Sequence, residues 1–190
     1  MVLWQRMFTI PNLFTLLRVA LIPVIFLQLS RGDYLAGGWT FGAAAFTDIL
    51  DGFLARHFRS ESKFGQYLDP IADKLLLTAM YVGLARGGAI PTWIVAVVIG
   101  RDLWILLMSA VAFLFTSFRE LKPSIWGKLS TFAQIMTAVA VTATHAYGRP
   151  VFELAAEALT WAVVGLALVS GGDYTLRGIR FLLGLRTLKN

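Results

Sequence analysis

FTDILDGFLARHFRSESKFGQYLDPIADK, residues 46–74, carries four aspartates, Asp48, Asp51, Asp69 and Asp73, where two apolar stretches meet. Positions 48, 51 and 55 fall on one face of a helix, and positions 69 and 73 fall on one face of the next. The polar break RHFRSESKFG, 56–65, predicts an antiparallel helix pair whose acidic faces meet at one end. An aspartate in the middle of a membrane-crossing helix costs roughly 2.5–3.5 kcal/mol, and less near an interface. Four of them therefore need partners.

The chain around this stretch is apolar. Its 190 residues are 57% hydrophobic and 15% charged, with a mean hydropathy of +0.70, which is the composition of a polytopic membrane protein. A helix needs about 20 residues to cross the hydrocarbon core, and stretches near 11–30, 36–57, 66–86, 91–117, 125–147 and 151–170 qualify. The expected fold is all-α, with six transmembrane helices in one integral-membrane domain, 1–190. MVLWQRMF before the first span reads as a short interfacial helix with Trp4, Met7 and Phe8 towards lipid and Arg6 towards headgroups. The N-terminus is not read as a signal peptide, because Arg18 and Pro23 interrupt its apolar part and no small-residue cleavage site follows.

Lysine and arginine set the expected orientation. Six spans put Arg6, Arg56, Arg59, Lys63, Arg119, Lys122, Lys128, Arg177, Arg180, Arg186 and Lys189 on one side, and only Arg31, Arg86 and Arg149 on the other. This asymmetry of 11 to 3 puts both termini and the aspartates in the cytoplasm of a cell inner membrane or its equivalent. The net charge of +6 and a pI near 10.0 fit anionic lipid better than nucleic acid, because the bases are scattered and form no stripe with interleaved aromatics.

The chain contains no cysteine, so thiolate metal sites and disulfides are excluded and any metal must be held by oxygen or by one of two histidines. His57 reads as interfacial and His145 as a bland residue near a far turn. The aspartates have two readings. Arg56, Lys63 and Lys74 would make a structural ion-pair network, whereas hard divalent cations would be held by two facing carboxylate pairs. Gly52 and Ala55 leave a bare strip beside the carboxylates, where a nucleotide diphosphate can approach the helix. Gly42 and Ala43–Ala45 read as helix-packing residues. An ion-coupled transporter also places acids inside helices, but would not require the DG, AR and G elements at fixed offsets.

From Asp48 to Asp73 the chain reads DxxDGxxAR, eight residues, GxxxDxxxD, with Gly65 as the later glycine. This resembles the signature of the CDP-alcohol phosphotransferases at every fixed position, and IPNLFTLLR, 10–18, and the helix layout extend the resemblance along the chain. The resemblance implies an integral-membrane enzyme that transfers a substituted phosphate from a CDP-linked donor to an alcohol and releases CMP. It implies that Asp48, Asp51, Asp69 and Asp73 bind two divalent cations, Mg²⁺ or Mn²⁺, with Asp73 also the general base. It implies that Gly52 and Ala55 line the cytidine site, that Arg56 reaches the diphosphate, that Gly65 makes room near the nucleotide, and that the protein is a homodimer.

Bases inside predicted spans suggest an acceptor that bears phosphate. Arg18, Arg101 and Lys128 read as anion-binding residues, with snorkelling to headgroups as the alternative, and Lys122 joins them through the motif below. Arg177 and Arg180 either close the pocket or form a charged tail, and Asp102 pairs with one of the bases. IPNLFTLLRVALIPV and LDPIADKLL look most like the branch that uses CDP-diacylglycerol and a glycerol-containing acceptor. Phosphatidylglycerophosphate synthases share the GKxxT element, here Gly127, Lys128 and Thr131, but usually carry REhhhxxxR (h, apolar) where this chain has RDLWILLMS. Cardiolipin synthases of the eukaryotic type resemble RD followed by a long apolar stretch and LKPSIWGKLST, which favours phosphatidylglycerol as acceptor over glycerol 3-phosphate. The alternative is another acceptor of the family, such as inositol phosphate or serine.

Overall fold

The computed structural model describes the backbone of residues 10–58, 63–115 and 124–182, and the side chains of 15–47, 69–111 and 124–180. Every described element is a helix: α1 Ile10–Ser30, α2 Tyr34–Phe58, α3 Lys63–Arg86, α4 Thr92–Phe115, α5 Ile125–Tyr147 and α6 Pro150–Leu182. The expected all-α architecture with six long helices is present. The interfacial helix expected over residues 1–8 lies outside the described residues. The sixth helix runs well beyond the expected end at 170. It continues through Gly171 and Gly172, beyond which Asp173 and Arg177 pair one turn apart at 3.1 Å and Tyr174 is buried.

Among the described residues, Thr92–Val111 and Pro150–Arg180 are long and apolar enough to cross a membrane, each with 17% of its apolar window buried, and Thr15–Ser30 is a shorter apolar helix. α2, α3 and α5 carry aspartates or hydroxyl and amide groups that lower their hydropathy. The surface is apolar: Leu103, Leu106, Leu154 and Leu168 are 60%, 65%, 72% and 72% exposed, while Arg18, Arg101, Gln134 and Thr137 are buried. Polar groups inside and leucines outside is the arrangement expected where lipid is the solvent.

The backbone divides into two compact units, one made of Met1–Pro91 with Val141–Arg149 and the other of Thr92–Ala140 with Pro150–Asn190. In the first unit α1 packs against both α2 and α3. α1 and α3 run parallel, since Thr15 meets Asp69, Arg18 meets Asp73, and Leu29 meets Gly83 and Gly87. Both helices end in the same way. Gly32 (φ 80°) and Gly88 (φ 81°) take left-handed conformations that a side chain resists, and each end closes with paired six-to-one and five-to-two hydrogen bonds, Asp33 N–H to Gln28 and Gly32 N–H to Leu29, then Ala89 N–H to Leu84 and Gly88 N–H to Ala85. Asp33 then caps α2 by accepting the Ala36 N–H at 3.1 Å.

A seam of close approach lies near these ends. Leu29 is fully buried, and a Cβ at Gly83 would stand 3.0 Å from its Cβ and 3.3 Å from the Phe26 carbonyl oxygen. A Cβ at Gly87 would run into the Leu29 carbonyl oxygen and stand 2.9 Å from Tyr34 Oη, whose hydroxyl donates to the Gly87 carbonyl. Gly42 differs: it is exposed, and among the described residues a Cβ there would meet nothing within 4 Å, so it is not a packing glycine against any of them, and of the alanines beside it only Ala44 is buried. Gly87→Ala is therefore expected to destabilise the protein by about 1–3 kcal/mol through overpacking against backbone. Gly42→Ala should be neutral or stabilising by up to about 1 kcal/mol through helix propensity. Melting temperatures of the two variants in detergent check the contrast.

The second unit has its own parallel pair, α4 and α6. Trp93 and Trp161 lie 6.2 Å apart, Arg101 Nη2 donates to Ser170 Oγ at 2.8 Å, and Trp104 Nε1 donates to Thr175 Oγ1 at 2.9 Å. The partners advance together along both helices. The N-terminus of α5 is capped by Ser124, whose Oγ accepts the Gly127 N–H at 2.9 Å and whose N–H donates to Tyr174 Oη at 3.3 Å.

Candidate active site

Asp69 and Asp73 stand one turn apart on α3, and α1 supplies a donor to each. The Thr15 hydroxyl donates to Asp69 Oδ1 at 2.6 Å, and Arg18 Nη1 donates to Asp73 Oδ1 at 2.6 Å. Thr15 and Arg18 are three residues apart and hence on one face of α1, so the parallel register makes two rungs from two adjacent turns. The rungs are asymmetric in exposure. Arg18 has no exposed side-chain surface, whereas the Asp73 side chain is 54% exposed. Pro70, between the aspartates, has no N–H, so the carbonyl four residues before it receives no helical hydrogen bond.

Asp48, Asp51, Gly52, Ala55 and Arg56 fall within α2, and Gly65 falls in the first turn of α3. Their side chains, and with them the expected meeting of the two acidic faces, lie outside the described residues. Among the described residues no three histidine, aspartate or glutamate side chains form a cluster. The described carboxylates of the motif are Asp69 and Asp73.

The bases read as anion-binding are placed differently from one another. Arg18 is buried against Asp73. Arg101 is also buried: Nη1 donates to Asp102 Oδ1 at 2.7 Å, and Nη2 donates to the Gly127 carbonyl at 3.1 Å and to Ser170 Oγ at 2.8 Å. Its guanidinium thus ties α4 to the start of α5 and to α6 within the second unit, and the expected pairing of Asp102 with a base is present. Lys128 is exposed on the first turn of α5, one residue past Gly127. Lys122 lies outside the described residues. Arg177 is paired with Asp173, and Arg180 is exposed. His145 packs its ring 4.9 Å from that of Tyr34.

Sequence reading missed Thr15, Gly127 and Ser170 as partners. Thr15 had a signal, since it sits one turn before Arg18 inside IPNLFTLLR. Ser170 had none, because a serine in an apolar helix says nothing about a partner 69 residues away.

Comparison with known proteins accounts for the motif and most of the chain around it. Residues 8–169 match the CDP-alcohol phosphatidyltransferase family. A probable phosphatidylglycerophosphate synthase of Mycobacterium tuberculosis is 32% identical over 188 residues, covering 95% of this chain and 87% of the relative. The CDP-diacylglycerol–glycerol-3-phosphate 3-phosphatidyltransferase of Bacillus subtilis is 35% identical over 187 residues, covering 88% and 94%. The CMP-forming cardiolipin synthase of Homo sapiens is 36% identical over 110 residues, covering 57% of this chain and 36% of the relative. A transporter explains none of these matches. With a family match across both compact units and relatives aligned nearly end to end, the chain belongs to the CDP-alcohol phosphatidyltransferase family and is a phosphatidyltransferase.

Proposed function

We propose that the protein transfers the phosphatidyl group of CDP-diacylglycerol to glycerol 3-phosphate and releases CMP, as a homodimeric integral-membrane enzyme with six spans in one domain and its termini and active site in the cytoplasm. The observation that carries the chemistry is the pair Asp69 and Asp73, each with one carboxylate oxygen held by a donor from α1. End-to-end similarity to proteins named for glycerol 3-phosphate favours that acceptor. Phosphatidylglycerol, giving cardiolipin, is the second reading, supported by the RD and LKPSIWGKLST elements and by the shorter matches to cardiolipin synthases.

In the reaction the acceptor hydroxyl oxygen forms a bond to the phosphatidyl phosphorus, and the bond from that phosphorus to the CMP oxygen breaks. Asp73 takes the hydroxyl proton; its half-exposed carboxylate leaves a side open for the acceptor. The donor set is all-carboxylate, which suits hard divalent cations, and Asp48, Asp51, Asp69 and Asp73 would hold two, Mg²⁺ or Mn²⁺. Bound there, they supply neutralisation of the diphosphate charge and stabilisation of the leaving CMP. Gly52, Ala55 and Gly65 make room for the nucleotide and Arg56 reaches the diphosphate. Exposed Lys128, with Lys122, offers the cationic charge for the acceptor phosphate, and Arg101 fixes the Gly127 carbonyl next to Lys128. The count of 11 bases against 3 supports the orientation.

The test is CMP release from labelled CDP-diacylglycerol by the purified chain with glycerol 3-phosphate, phosphatidylglycerol, inositol phosphate, serine or water as acceptor. Release that depends on glycerol 3-phosphate is the expected result, and dependence on phosphatidylglycerol selects the second reading. Chelation with EDTA should abolish release, and added Mg²⁺ or Mn²⁺ should restore it. Undiminished release after exhaustive chelation would refute the metal assignment.

A further inference from the structure

Arg18 is the largest fully buried side chain among the described residues. Burying a charge costs several kcal/mol per ion even after relaxation, and a buried ion pair is often no more stabilising than apolar groups of the same volume. Fold stability alone is a poor reason to keep an arginine there. Nor does its position suit an anion from solution or from lipid, because it has no exposed surface and Nη1 is directed at Asp73 Oδ1 at 2.6 Å. Its partner is the opposite case, a carboxylate with about half of its surface open. One oxygen is gripped from inside the protein, and the carboxylate is thereby presented outward in a fixed orientation.

One turn earlier the same pattern recurs with a neutral donor. Thr15 is 1% exposed, and its hydroxyl donates to Asp69 Oδ1 at 2.6 Å. Two independent donors, both buried, both on one face of α1, each take one oxygen of a neighbouring carboxylate on α3. We infer that Thr15 and Arg18 are positioning residues of the carboxylate site: from α1 they orient Asp69 and Asp73 for divalent-cation binding and proton transfer, and they take no part in binding the acceptor. This rests on the proposed metal-dependent transfer, and it assigns to α1 a role that the aspartate motif leaves open. Groups that orient metal-binding carboxylates typically contribute 10–100-fold to metal affinity or activity.

The test uses the full chain in detergent and two readouts, Mn²⁺ binding followed by the EPR signal of free Mn²⁺, and CMP release with separate KM values for donor and acceptor. Thr15→Val keeps the volume and removes the donor, and Thr15→Ser keeps the donor. The valine variant is expected to bind Mn²⁺ about 10-fold more weakly and to lose about 10–100-fold in kcat, with the serine variant within about twofold of the parent in both. Arg18→Gln is expected to lose about 10–100-fold in kcat with acceptor KM within about twofold, and Arg18→Lys to recover part of the loss. A Thr15→Val variant that binds Mn²⁺ and turns over like the parent overturns the inference. So does an Arg18→Gln variant whose acceptor KM rises at unchanged kcat, which returns Arg18 to the acceptor site. If the Arg18 variants do not fold, the Thr15 pair decides alone. Failure of the proposed function reads differently: a parent protein that binds Mn²⁺ but releases no CMP refutes the transfer reaction and leaves the Mn²⁺ comparison of Thr15 variants intact. A parent that binds no Mn²⁺ overturns both.

Discussion

Asp73→Asn is expected to reduce CMP release by at least about 100-fold while leaving the protein folded. A positioned general base contributes about 10²–10⁴-fold, and asparagine cannot take the proton from the acceptor hydroxyl at neutral pH. Its amide keeps the shape of aspartate and retains an oxygen to accept the Arg18 hydrogen bond that now goes to Oδ1 at 2.6 Å. The variant does leave Arg18 buried without its counter-charge, but the carboxylate it replaces is about half exposed, so the lost attraction is partly screened by solvent. The measurement is kcat for CMP release alongside a melting curve. Activity within a few-fold of the parent would remove Asp73 from the role of base.

The largest expected effect on stability belongs to Arg101. Arg101→Ala removes three hydrogen bonds at once, to Asp102, the Gly127 carbonyl and Ser170, and takes the guanidinium away from the Asp102 carboxylate, whose side chain is 16% exposed. Breaking a buried pair by removing one partner costs about 3–5 kcal/mol, which for a chain of this length lowers the melting temperature by about 10 °C. Arg101→Met combined with Asp102→Leu should recover much of the loss, because both charges of the pair are replaced by apolar groups of similar volume. Lys128→Ala, at an exposed position, should leave the melting temperature unchanged and raise the KM for the acceptor. A stable Arg101→Ala protein with a raised acceptor KM would show that Arg101 binds the acceptor directly.

The helices, and the ends of α1 and α3, were legible because they follow from local chemistry. Apolar runs of about 20 residues gave the helices, and RGDY and RGGAIP hold the glycines and the aspartate that the observed ends use at Gly32, Asp33 and Gly88. The aspartate motif was legible because its spacing is a property of two short helix segments. What was not legible depends on register between distant helices. Arg18 and Arg101 look alike in the sequence, as bases within apolar stretches. Asp102, beside Arg101, could be read as the partner of a base, but Asp73 as the partner of Arg18 lies 55 residues along the chain and depends on how α1 and α3 are set against each other. Gly42 and Gly83 are likewise indistinguishable until the neighbouring helix is in place, when one proves open and the other crowded.

The glycine seam around Leu29 has a consequence at the other end of the same helices. From position 15 to position 29, at 1.5 Å per residue, α1 covers about 21 Å. A slip of one residue between α1 and α3 would move each side chain by about 1.5 Å along the axis and about 100° around it, taking Thr15 and Arg18 off their aspartates. Contact between Leu29 and the bare backbone at Gly83 and Gly87 admits one depth of insertion. The seam therefore works as the key of a shaft: a leucine fitted against bare backbone, some four turns from the carboxylates, indexes the angle at which they are held.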